Sequence, residues 1–67
     1  MKKLILTFYT TSIISAEQAD AITKALKAES TYYNNHMINI VIEADNTAVK
    51  EAFKQAQKYE LSLFINH

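Results

Sequence analysis

Two stretches of strict alternation limit what this chain can fold into. In residues 2–9, Leu4, Leu6 and Phe8 fall on one side and Ile5, Thr7 and Tyr9 on the other. In residues 36–44, Ile38, Ile40 and Ile42 alternate with Met37, Asn39, Val41 and Glu43. A period of two is the period of a strand, so both stretches are predicted as strands, the second a central one. The intervening and following segments change to helical spacing. Ser15 precedes Ala16, Glu17 and Gln18 as a capping box, and the helix predicted over 16–27 carries an apolar stripe of Ala19, Ile22, Ala25 and Leu26. Asp45 or Asn46 caps a second helix with the predicted buried stripe Val49, Ala52, Phe53 and Ala56, and a last strand places Leu61, Leu63 and Ile65 inward.

The segment between the first helix and the isoleucine strand decides the topology. Ser30-Thr31-Tyr32-Tyr33 favours extended backbone, and Asn34-Asn35 is predicted as a two-residue type I′ turn, because Asn tolerates positive φ. With that hairpin the order is βαββαβ. This is an α+β, ferredoxin-like sandwich, a four-stranded antiparallel sheet with two helices on one face. Without the hairpin, a three-stranded βαβαβ arrangement remains. Either way, residues 1–67 make a single α/β domain, since a chain of this length builds only one core.

So small a core supplies little stability, and the absence of cysteine removes disulfides and thiolate metal sites as supplements. Packing and self-association are left, which predicts a homodimer. Seven lysines, no arginine and seven acids give zero formal charge, which weighs against duplex DNA or an anionic membrane as a partner. The Lys-, Asn-, Ile- and Tyr-rich composition matches AT-rich coding, as in phage or plasmid accessory proteins. Met1-Lys2-Lys3, the run to Ile14 and Ser15-Ala16 outline a secretory signal. However, Thr7, Thr10, Thr11 and Ser12 interrupt the run, and the segment is read as the first strand of a cytoplasmic protein without membrane spans.

Catalytic and cofactor chemistries find little support. The histidines are His36, at the hairpin, and His67, neither placed beside a nucleophile, and His36 is read as a turn-packing or solvated residue. The stretch from Thr10 to Ser15 lacks the CxxC of ferredoxin-like metal chaperones, and a chain without glycine has no phosphate loop. Glu17, Asp20, Asp45 and Glu51 are read as first-turn helix charges, and Lys50, Lys54 and Lys58 as a solvated helix face. No cofactor, metal or catalytic residue is predicted.

The outer face of the sheet stands apart. In a one-sided sandwich it meets water, yet it carries Ile5, Tyr9, Tyr32, Met37, Val41 and Phe64 beside Thr7, Asn39 and Ser62. The predicted turn pairs Tyr32 with Met37 on that face. These six are the candidate partner-binding residues of a small non-catalytic interaction module that self-associates and binds or inhibits another protein. The edge strand from Leu61 to Ile65 is a second route to self-association. The competing expectation is stacking of single-stranded nucleic-acid bases on Tyr9, Tyr32 and Phe64, although basic residues around them are sparse.

Overall fold

The computed structural model describes residues 2–66, so Met1 and His67, which entered the targeting and catalytic readings, lie outside the described residues. Over this range the chain forms β1 (Lys3–Tyr9), α1 (Ala16–Ala25), β2 (Ser30–Asn34), β3 (Met37–Glu43), α2 (Asn46–Lys58) and β4 (Ser62–Asn66). The strands make one antiparallel sheet in the order β2-β3-β1-β4. With both helices against one face, this is the ferredoxin-like βαββαβ sandwich rather than the three-stranded alternative.

The core follows from the alternation. Leu4, Leu6 and Phe8 of β1 lie opposite Ile42, Ile40 and Ile38 of β3, and all six are buried. Ala19, Ile22 and Leu26 from the first helical segment and Ala52 and Ala56 from α2 close over them. Small alanines at the contact let each helix approach the sheet closely.

Two stripe assignments need correction. Phe53, expected in the core, is 55% exposed, and Ala25 is exposed as well. The reason is angular. At about 100° per residue, Phe53 lies roughly a quarter turn from the line of Ala48, Ala52, Ala56 and Tyr59 that faces the sheet, and Ala25 is similarly offset from Ala19, Ile22 and Leu26.

Both helix starts are capped, the first by Ser15 as predicted and the second by Asp45, with Asn46 the first helical residue. Ser15 Oγ accepts from Gln18 N at 3.1 Å while Ser15 N donates to Gln18 Oε1 at 3.2 Å. Asp45 Oδ1 accepts from Thr47 N and Ala48 N at 2.7 and 3.0 Å. Each such cap contributes about 1 kcal/mol.

The helix ends are built alike. Ala28 N donates to Thr23 O and Lys27 N to Lys24 O, and Leu61 N donates to Ala56 O and Glu60 N to Gln57 O. These are Schellman pairs, which put the residue after the C-cap in the left-handed region: Lys27 has φ 52° and Glu60 φ 57°. A Cβ there is strained, and with no glycine in the chain both helices carry that strain. Lys27→Gly and Glu60→Gly are each expected to stabilise the fold by about 0.5–1 kcal/mol, raising the melting temperature by several degrees as read by calorimetry.

The hairpin turn also differs from expectation. Asn34 pairs with Met37, so the turn is Asn35-His36, and Tyr32 lies opposite Asn39 rather than Met37. Among the described residues positive φ occurs at Lys27 and Glu60, so this turn is not type I′. Tertiary contacts replace the missing turn preference. Asn34 Oδ1 accepts from His36 N at 2.9 Å, Thr10 N donates to His36 O at 3.0 Å, and Ile14 N donates to Asn35 O at 2.7 Å. Moving the turn by one residue shifts the register by two, which keeps every side chain on its predicted face.

Candidate functional site

The strand registers place the outer-face residues in three rows across the sheet. Ser30, Val41, Ile5 and Asn66 form the first, Tyr32, Asn39, Thr7 and Phe64 the second, and Asn34, Met37, Tyr9 and Ser62 the third. All six candidate residues, Ile5, Tyr9, Tyr32, Met37, Val41 and Phe64, are therefore on one face. Val41 meets Ile5 and Met37 meets Tyr9 in the centre, where β1 and β3 pair, while Tyr32 and Phe64 stand on the two edge strands. Four of the six are substantially open to solvent: Ile5 43%, Tyr9 47%, Tyr32 59% and Phe64 58%. Met37 and Val41 are half-buried by their neighbours.

The six surround a polar pair. Thr7 Oγ1 donates to Asn39 Oδ1 at 2.5 Å, and Asn39 Nδ2 lies 3.9 Å from Met37 Sδ. Because the Thr7 hydroxyl proton and Asn39 Oδ1 are already paired, covering them with another surface costs less than burying two groups that had been bonded only to water. The polar centre thus does not prevent the face from being covered.

The end of the face beyond Ile5 is charged, with one lysine set between two glutamates. Lys3 Nζ lies 2.6 Å from Glu29 and 3.8 Å from Glu43. The hydrogen bond that the Lys3 ammonium donates to Glu29, opposed by desolvation and reinforced by the charges of Glu29 and Glu43, raises the Lys3 pKa above its usual value.

Other titratable groups have structural partners. A cleft of about 420 Å³ between the end of α1 and the start of α2 is lined in part by Glu29, Glu43, Asp45 and Glu51. Yet Glu29 and Glu43 hold Lys3, Asp45 caps α2, and Glu51 accepts from Gln55 at 2.9 Å. Of the acids assigned to helix first turns, Glu17 alone sits in one; Asp20 instead pairs with Lys24 at 3.0 Å. His36 is exposed, with Nδ1 2.6 Å from Ser12 O, and so ties the loop after β1 to the hairpin turn. Lys50, Lys54 and Lys58 are exposed on α2, with Lys58 over the Tyr59 ring at 5.3 Å. Among the described residues no group of three or more His, Asp or Glu side chains converges as metal ligands, and no helix is long and apolar enough to cross a membrane.

Two further apolar residues lie on the surface outside the predicted site. Ile13 is 69% exposed in the loop after β1, and Phe53 projects from α2. The helical wheel carried the signal for Phe53; nothing in the sequence separated Ile13 from its buried neighbour Ile14.

A scan against protein-family models finds none that matches, and a search of curated proteins finds no significant match. Ferredoxin-like sheets serve many unrelated functions, so the fold by itself assigns none.

Proposed function

We propose that the chain is a non-catalytic protein-interaction module of the cytoplasm, which self-associates and uses the outer face of its sheet to bind or inhibit another protein, in the manner of phage or plasmid accessory regulators. The observation that carries this reading is the apolar ring of Ile5, Tyr9, Tyr32, Met37, Val41 and Phe64 on the side of the sheet opposite the helices. Aromatic and Met side chains with few charges among them are the composition of an interface centre. The zero net charge supports a partner recognised by shape and apolar burial rather than by long-range attraction.

Tyr9, Tyr32 and Phe64 also favour a second reading, base stacking with single-stranded nucleic acid. Lys3 is the basic residue at this face, and it is engaged by Glu29 and Glu43, which weakens that reading.

The test is cross-linked capture from the native host with parent, Val41→Ser and Tyr9→Ser proteins, run beside titration of labelled oligonucleotides. The serine variants are expected to keep the parent circular dichroism spectrum and to lose the captured protein, with capture by the parent nearly independent of salt. Oligonucleotide binding that falls steeply with salt, and weakens by about 1–3 kcal/mol in Tyr9→Ala, would establish the second reading instead.

A further inference from the structure

The edge formed by β4 differs from every other boundary of the fold. Inward residues of β1 and β3 are fully covered by the helices, whereas Leu61, Leu63 and Ile65 at β4 are half-buried. Helix α2 does not extend over them completely. On α2, Thr47, Ala48 and Glu51 line the cleft toward α1, so that flank faces the other helix. At about 100° per residue Val49 and Phe53 fall on the opposite flank of α2, the helix that packs against β4, and Phe53 is 55% exposed there. An apolar margin therefore runs along the edge, from Phe53 above the sheet through Leu63 and Ile65 to Phe64 below it.

Edge strands of monomers are usually blunted by charge, proline or a bulge. The strand Ser62–Asn66 has no charged residue and no proline. Its polarity is also symmetric about its centre. An antiparallel copy centred on Phe64 would set Phe64 against Phe64, Leu63 against Ile65 and Ser62 against Asn66, like with like at every position. Such self-complementarity is what a two-fold interface requires. With no charge on the strand, two copies meet without repulsion. The other edge, β2, offers less. The strand Ser30–Asn34 also lacks charge and proline, but its side chains are already engaged: Thr31 is bonded to Thr23 of α1 and Tyr33 donates its hydroxyl proton to Ile14 O.

We propose that two copies of this chain join β4 to β4 in antiparallel register about Phe64, giving one continuous eight-stranded sheet. The pairing satisfies the outward amides and carbonyls of β4, covers Leu63 and Ile65 from the side, and brings Phe53 against the second copy. It deepens the self-association half of the proposed function and does not depend on what the outer face binds.

Hydrogen exchange measured by NMR at low micromolar and near-millimolar concentration, with sedimentation of the same samples, tests this. In an edge strand one alternating set of amides points away from the sheet. That set within residues 62–66 is expected to slow at least tenfold as dimer forms, while the amides of residues 30–34 stay unchanged. Phe53→Glu, at an exposed helix position, is expected to weaken dimerisation at least tenfold, as is Ile65→Lys, and Val41→Ser is expected to dimerise like the parent. A dimer whose β4 exchange does not depend on concentration overturns the edge pairing and leaves self-association standing. A monomer at the highest concentration overturns both. Neither result bears on capture of another protein by the outer face.

Discussion

Ile40→Ala is expected to unfold most of the protein at 37 °C. Ile40 is wholly buried at the middle of β3, opposite Leu6 and beside Thr31, and its loss leaves a cavity that the stiff sheet closes only in part. The cost is about 2–5 kcal/mol. A domain this small holds only a few kcal/mol in total, so little folded protein should survive. Phe53→Ala is the control, since deleting an apolar side chain that is more than half exposed removes little burial and is expected to shift the melting temperature by only a few degrees in dilute monomer. Thermal melts by circular dichroism compare the two. A mild Ile40→Ala together with a severe Phe53→Ala would mean that α2 is rotated from the orientation described.

Ile14→Ala is expected to be nearly as damaging, at about 2–5 kcal/mol. Ile14 lies in the loop between β1 and α1, yet it is fully buried. Its backbone is held twice, through its N–H to Asn35 O and through its carbonyl, which accepts from the Tyr33 hydroxyl. The side chain thus plugs the end of the core at the point where the loop crosses the hairpin turn. Ile13→Ala, one residue earlier at a 69% exposed position, is expected to change stability by under about 0.5 kcal/mol. Urea denaturation of both variants gives the comparison, and equal effects would show that the loop does not anchor through Ile14. The damage from Ile14→Ala should extend to the turn, as slower-growing protection at Asn35 and His36 in hydrogen exchange during refolding.

The outer face was legible because strand alternation assigns faces without knowledge of the partner strand. Tyr32 illustrates how robust that assignment is: its cross-strand neighbour is Asn39 and not Met37, yet it remains on the face with Tyr9 and Phe64. The edge margin was less legible. An apolar residue beside Ala52 and Ala56 reads as part of one stripe, so the sequence places Phe53 in the core, yet the width of a buried stripe depends on how far a helix sits over its sheet. That distance is a tertiary quantity.

The sequence by itself determined the strand and helix periodicities, the Ser15 cap, the Leu4-Leu6-Phe8 and Ile38-Ile40-Ile42 core rows, and the membership of the outer face, and it narrowed the topology to two arrangements and the second cap to Asp45 or Asn46. Each of these rests on local periodicity or on hydrogen bonds spanning three residues or fewer, which a short window of sequence contains. The tertiary structure alone decided the choice of four strands over three, the position of the hairpin turn, the burial of Ile14 against the exposure of Ile13, and the open margin at β4. These depend on contacts between segments far apart in the chain, such as Ile14 with Asn35, and on the space left over when the two helices settle on a four-stranded sheet. Local preferences fix which way a side chain points, but only the assembled layers fix whether anything lies there to cover it.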